Sequence, residues 1–241
     1  AIGALRVRGI PLPPSWRYGC LSFAIDSPTN GPSLYAKSDA NFSVPVVLPQ
    51  WSSRQLQRDV INTLIDDGAD VNAGQGYTRP IQVAVAAGNL TAVETLLALK
   101  PVMARWKQNS YVLMQLPTHL NLQHIREAAR PVTREYEAAL TSIYHRLIQH
   151  DSRLSLWWDE RENNLVHWAA KFPPVFSQSF INAYLSLITS HGANIRVNLI
   201  TGRDGYGRQL PGSTPLYMAA EHGSPCVAHW LCRQLTAEDI N

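Results

Sequence analysis

Eight histidines are the side chains of this chain best suited to acid–base chemistry or metal binding near neutral pH. Two pairs are five residues apart, His119 with His124 and His145 with His150. Zinc-binding helices space their histidines three or four residues apart, so neither pair predicts a metal site. The chain also lacks the GxSxG, HExxH, P-loop and GxGxxG motifs. We therefore expect no catalytic residue, no cofactor and no metal ion in this chain.

Composition narrows the class of protein further. The chain has 241 residues, of which 45% are hydrophobic and 16% are charged, and this balance is typical of a folded protein. A net charge of +3 without a basic run does not indicate nucleic-acid binding. No apolar run reaches the roughly 18 residues that a membrane-spanning helix needs. The three cysteines form no CxxC motif, which favours a reducing compartment and predicts a cytoplasmic protein.

The ten residues that begin at Thr214 contain the signals of a short helix with defined ends. Thr214 can cap the helix start, and Pro215 fits the first turn, where its missing N–H costs nothing. Ala219 and Ala220 are small enough for neighbouring helices to approach. Gly223 suits the left-handed conformation in which many helices end. This segment predicts a helix that packs closely against others.

A second pattern recurs along the chain. It consists of two apolar residues, two variable residues, two apolar residues, two variable residues and a closing position. The copies begin at Val60, Ala92, Ile143, Tyr184 and Cys226. This spacing is typical of a helix with one buried face. The inward positions that it predicts to be buried are Leu64, Leu96, Leu147, Ile188 and Leu231.

Together the two patterns resemble the ankyrin-repeat family, whose first helices begin with Thr-Pro-Leu-His. Tyr217 takes the place of that histidine after Thr214, whereas the copy that begins at Asn164 keeps it as His167. A further copy begins at Arg79. The resemblance implies an all-α solenoid of stacked helix pairs with short hairpins and little or no sheet. It also implies that His167 ties a helix start to the neighbouring loop and has no catalytic role.

The resemblance covers nearly the whole chain, which we expect to be a single domain, 1–241. The expected repeats are residues 16–73, 74–104, 105–155, 156–197 and 198–235, and the expected insertions between helices are residues 26–51 and 116–138. The third repeat lacks the first-helix motif, and Ser110 to Gln115 stands in its place. Thr236 and Asp239 have the spacing of a helix start, which predicts either a closing helix or a further repeat.

The hairpin tips and first-helix faces of an ankyrin array form an extended, rigid surface for binding other proteins. At these positions the chain is rich in Trp, Tyr and Arg, the residues most enriched among interface hot spots. We therefore predict a protein–protein interaction module that is not itself an enzyme and binds neither nucleic acid nor membrane. The predicted partner-binding residues are Tyr77, Arg79, Trp106, Trp158, Arg161, Trp168, Tyr206, Arg208 and Met218. For any single aromatic, the alternative is packing beneath an enlarged loop.

A second hypothesis places the chain within a larger enzyme. Some bacterial effectors that act in the host cytoplasm use an ankyrin domain to hold a host protein for a catalytic domain elsewhere in the same protein, for example for ADP-ribosyl transfer. The irregular repeats, rich in Trp and Arg and poor in Lys, are compatible with such an effector. A scaffold or inhibitor in a eukaryotic cell is a third hypothesis, and the sequence does not identify the partner.

Overall fold

The computed structural model of the protein describes residues 21–22, 24–25, 48–72, 79–99, 101, 113–117, 132–158, 163–171, 175–196 and 214–240. These residues contain helices and no strand. An isolated antiparallel bridge pairs Trp158 with Asn164. The all-helical class predicted from the sequence is therefore confirmed for the described part of the chain.

The described residues include nine α-helices and a 3₁₀ helix. The helices are α1 Arg54–Asp66, α2 Pro80–Ala86, α3 Leu90–Ala98, α4 Arg134–His150, α5 Leu165–Ala170, α6 Gln178–Ser190, α7 Pro215–Glu221, α8 Pro225–Gln234 and α9 Ala237–Ile240. A 3₁₀ helix, Ser152–Leu156, follows α4. Most of the two predicted insertions, 26–51 and 116–138, lies outside the described residues. The helix α4 begins at Arg134, before the predicted end of the second insertion at residue 138, and Thr133 caps it by accepting a hydrogen bond from the Tyr136 N–H at 3.2 Å.

The helices α1 to α3 belong to one compact unit. Within it α3 packs against both α1 and α2. Leu64 and Leu96 are buried, as the sequence predicted. The Asn89 side chain caps α3 by accepting from the Ala92 N–H at 3.0 Å, and its amide donates to the Ile25 carbonyl at 2.7 Å. Asn89 thus connects the start of α3 to the helical residues near position 25.

The helices α4 to α9 belong to a second compact unit. Here α6 packs against α4 and α8, while α7 packs against α5 and α8. Leu147, Ile188 and Leu231 are buried at the predicted inward positions of α4, α6 and α8. Longer amphipathic helices therefore pack on one another, and the shorter, alanine-containing helices α5 and α7 do the same.

Several helices end through the same hydrogen-bond pattern around a glycine. After α6, the Gly192 N–H donates to Thr189 O at 3.0 Å and the Ala193 N–H donates to Ile188 O at 3.0 Å. Gly192 has a φ of 99°, a conformation that residues with a Cβ rarely adopt. The ends of α1, α2 and α7 repeat this pattern at Gly68, Gly88 and Gly223. The helix end predicted at Gly223 is confirmed.

Two tyrosines of the second unit hold a buried turn at 113–115, within the stretch Ser110 to Gln115 that stands in place of the third first-helix motif. The Tyr184 hydroxyl donates to Met114 O at 2.8 Å, and the Tyr144 hydroxyl donates to Gln115 O at 3.0 Å. Burial raises the pKa of both phenols, which keeps them protonated as donors. Their rings lie 5.2 Å apart between centroids. The turn at 113–115 is thus fixed through its own carbonyls.

The helix start predicted at Thr236 is confirmed. The Thr236 N–H and hydroxyl both donate to Asp239 Oδ2 at 2.8 Å, while Asp239 Oδ1 accepts from Arg196 Nε at 2.7 Å. The side-chain hydrogen bond from Arg196, together with the two from Thr236, holds the pKa of the Asp239 carboxyl well below its usual range. Asp239 therefore joins α9 to the chain that follows α6.

We expect this junction to be lost in acid and in Asp239→Asn. The folded-state pKa of Asp239 is depressed. The stability that its hydrogen bonds contribute is therefore present above the unfolded pKa of about 3.9 and is lost as the pH falls through the folded pKa. NMR chemical shifts of Ala237–Ile240 should show helix in the parent at neutral pH and a loss of helix in Asp239→Asn at every pH. Glu238→Gln alters an exposed neighbouring carboxylate and serves as the control. Unchanged helical shifts in Asp239→Asn would contradict the assignment.

Candidate protein-binding surface

Trp158 is the predicted binding residue that the structure places most clearly at the surface. Its side chain is 55% exposed, although it is large and apolar. The antiparallel bridge with Asn164 sets Trp158 at the base of a chain reversal immediately before α5. The sequence placed Trp158 near a hairpin tip, and both its exposure and the reversal of the chain agree with that prediction.

Leu156 is a neighbouring exposed residue that the sequence did not single out. It ends the 3₁₀ helix and is 45% exposed. Its Cδ2 lies only 2.7 Å from the place that a Cβ on Gly192 would occupy. The side chain therefore rests against the glycine backbone at the end of α6 on one side and meets solvent on the other. Leu156 and Trp158 together form what we call the Trp158 surface.

The segment that carries the Trp158 surface is held by specific polar contacts. Ser155 is fully buried, and its Oγ lies 2.6 Å from His191 O and 2.7 Å from Ser152 O. At the start of the 3₁₀ helix, Asp151 accepts from the Arg153 N–H at 3.0 Å and pairs with the Arg153 guanidinium at 2.9 Å. The hydrogen bond from that guanidinium lowers the pKa of the Asp151 carboxyl. The exposed apolar pair thus lies on a segment anchored at its start and its middle.

Asn164 anchors the other side of the Trp158 surface. Its Oδ1 accepts from the backbone N–H groups of Val166 at 2.9 Å and His167 at 3.2 Å, which caps α5. Its Nδ2 donates to Asn194 O at 2.6 Å. His167 is fully buried, and its Nδ1 lies 3.3 Å from the Asn164 N–H and 2.9 Å from Asn164 Oδ1. His167 thus contacts the residue that caps its own helix, and the bond from this helix start to the neighbouring loop is made by Asn164.

Three further predicted binding residues are described, with different surroundings. Trp168 is half-buried on α5, and Lys171 Nζ lies 4.8 Å from its ring centroid, within the range of a cation–π contact. Met218 on α7 is only 7% exposed and so offers a partner little area. Arg79 is half-buried at the start of α2, in the other compact unit. Of the predicted set, Trp158 lies just before α5 and Trp168 lies within that helix. Tyr77, Trp106, Arg161, Tyr206 and Arg208 lie outside the described residues.

Tyr217 is a second exposed aromatic that the sequence did not assign to the surface. It is the third residue of α7, as His167 is of α5, yet its side chain is 57% exposed. The imidazole of His167 bonds to the residue that caps its own helix. Thr214 caps α7 through its own hydroxyl, which accepts from the Tyr217 N–H at 3.1 Å, and the phenol ring points away into solvent.

The described residues contain no group of three or more His, Cys, Asp and Glu side chains placed to hold a metal ion. Within the same residues, no helix is both long enough and apolar enough to cross a lipid bilayer. No protein-family model matches the chain, and a comparison with curated protein sequences finds no significant match.

Proposed function

We propose that this chain is a protein-binding module of the ankyrin-repeat type and that it binds a partner protein through the Trp158 surface. The proposal assigns no catalysis to the chain. The observation that carries it is the exposure of two large apolar side chains, Leu156 and Trp158, on a segment with buried polar anchors. Exposed apolar groups on a well-ordered segment are a typical mark of a protein interface.

The repeated helix geometry supports the ankyrin part of the proposal. The pairs α2–α3 and α7–α8 each consist of a short helix and a longer one joined at a glycine with positive φ. Both short helices have proline in the first turn. The packing of α6 between α4 and α8 is the stacking expected of successive second helices in such an array. Each repeat in a solenoid leaves a hairpin tip available for binding.

A rigid surface favours binding because less conformational freedom is lost when the partner docks. Trp158 has two rotatable side-chain bonds and a large apolar area, properties that make tryptophan frequent among hot spots. The neighbouring Asp151 and Arg153 neutralise each other at 2.9 Å. The docking group of the partner is therefore expected to be apolar where it meets Leu156 and Trp158.

The proposal predicts that Trp158→Ala weakens partner binding by about 2 kcal/mol or more, in the hot-spot range. Ligands would be selected with the parent chain from a phage-displayed library of protein fragments, and their affinities for each variant measured by interferometry. The thermal melt should remain near that of the parent, because Trp158 is more than half exposed.

Tyr217→Ala provides the matched control for this experiment, because it removes an equally exposed aromatic from another position. Selected fragments should retain their affinity for Tyr217→Ala. Equal affinity of all selected fragments for Trp158→Ala and the parent would refute the assigned surface. A large fall in the melting temperature of Trp158→Ala would show that Trp158 serves the fold instead.

A further inference from the structure

The loop that follows α6 bonds to one residue before Trp158 and to one residue after it in the chain. Upstream of Trp158, Ser155 Oγ lies 2.6 Å from His191 O. Downstream, Asn164 Nδ2 donates to Asn194 O at 2.6 Å. The two carbonyls belong to one short stretch, 191–194, which we call the α6 loop.

We infer that the α6 loop fixes the orientation of the Trp158 surface and that Ser155 is a positioning residue for it. The consequence for binding rests on the proposed function, whereas the fixing of Trp158 does not. These two bonds, which we call the clamp, hold Ser155 and Asn164 against one loop, three residues before and six residues after Trp158. Trp158, which lies between them, is then presented in one orientation.

Substituting Ser155 removes one of the two bonds to the α6 loop with the least disturbance of the neighbouring helices. The hydroxyl is fully buried and has a single hydrogen for the carbonyls of Ser152 and His191. Ser152 belongs to the same 3₁₀ helix, so the contact with His191 is the one that joins the segment to the α6 loop. Asn164 also caps α5, and its loss would disturb a helix as well as the clamp.

The α6 loop also positions Leu156 through the glycine that ends the helix. Gly192 leaves open the space in which Leu156 lies, since a Cβ there would sit 2.7 Å from Leu156 Cδ2. At Gly68, with a φ of 95° against 99° at Gly192, an added Cβ meets no atom within 4 Å. The two glycines therefore share the backbone conformation. Only at Gly192 does another residue, Leu156, occupy the space that a side chain would need.

The first experiment measures the motion of Trp158 without any partner. The chain is labelled with fluorotryptophan, and its ¹⁹F resonance is assigned by its absence in Trp158→Phe. In Ser155→Ala we expect the Trp158 resonance to narrow and to move toward the shift of free fluorotryptophan. Ser142→Ala, which removes a hydroxyl bonded only within α4 to Ala138 O, should leave it unchanged. An unchanged Trp158 resonance in folded Ser155→Ala would overturn the inference.

The second experiment tests the consequence for binding with the fragments selected on the parent chain. Ser155→Ala should weaken their affinity about fivefold, as expected for the loss of one buried hydrogen bond, and Ser142→Ala should not. A mobile Trp158 with unchanged affinity would overturn the positioning role. If Trp158→Ala binds the fragments normally, the proposed function fails, while the ¹⁹F result still decides whether the clamp exists.

A second variant keeps the inference testable if Ser155→Ala does not fold. Gly192→Ala and Gly68→Ala impose the same backbone strain, but only the methyl group at 192 displaces Leu156. Gly192→Ala should therefore change the Trp158 resonance and weaken the selected fragments, whereas Gly68→Ala should do neither. Equal effects of the two substitutions would overturn the assignment.

Discussion

Replacing Leu96 by alanine is expected to lower the free energy of unfolding by about 2–5 kcal/mol. Leu96 is fully buried on α3, the helix that packs against both α1 and α2. The substitution removes buried apolar surface and leaves a cavity that the surrounding helices can close only in part. Chemical denaturation of the parent and the variant measures the difference.

Leu99→Ala is the matched control, because it makes the same chemical change just beyond the end of the same helix, where the side chain is 41% exposed. Its effect should be far smaller. Since α3 is shared by its neighbours, hydrogen exchange in Leu96→Ala should accelerate in α1 and α2 as well as in α3. A melt of Leu96→Ala that matches the parent would contradict the repeat register from which the core was predicted.

The helical core could be predicted from sequence because its signals are local. The two-apolar, two-variable pattern places one face of each longer helix inward, and all five predicted inward residues are buried. Helix starts at Thr214 and Thr236 follow from side chains that bond within three residues along the chain. These hydrogen bonds do not depend on what the helix packs against.

The Trp158 surface was predicted only in part because its geometry depends on distant contacts. Trp158 was identified by residue type and by its place before a first helix. Leu156 belongs to no such motif. Its side chain lies against Gly192, which is far along the chain. Ser155 likewise bonds to His191. Pairs of this kind lie 36 residues apart and so leave no local pattern in the sequence.

Tyr217 and His167 show that one motif position can hold either an exposed or a buried ring. Both occupy the third position of a short helix, but His167 is buried against its capping residue and Tyr217 is exposed. Asn164 offers the His167 ring a side-chain oxygen at 2.9 Å. The motif predicts the helix start in both places, whereas the side chains present determine whether the ring is buried.

Asn164→Ala is expected to destabilise the protein by about 2–4 kcal/mol, which combines a lost helix cap with buried groups left unpaired. One side chain accepts from two N–H groups at the start of α5, contacts the His167 ring and donates to Asn194 O. Because Asn164 is buried, water cannot easily replace these bonds. Its removal would also free the downstream end of the clamp.

Thr214→Ala supplies the comparison, since Thr214 caps the equivalent helix α7 through one N–H and is only half-buried. A loss of about 1 kcal/mol is expected there, the usual value for a cap. Denaturant titration of both variants gives the two free energies, and the ¹⁹F resonance of Trp158 should move in Asn164→Ala and not in Thr214→Ala. Equal losses in the two variants would mean that Asn164 acts only as a cap, and that its bond to Asn194 O contributes nothing to holding the Trp158 surface.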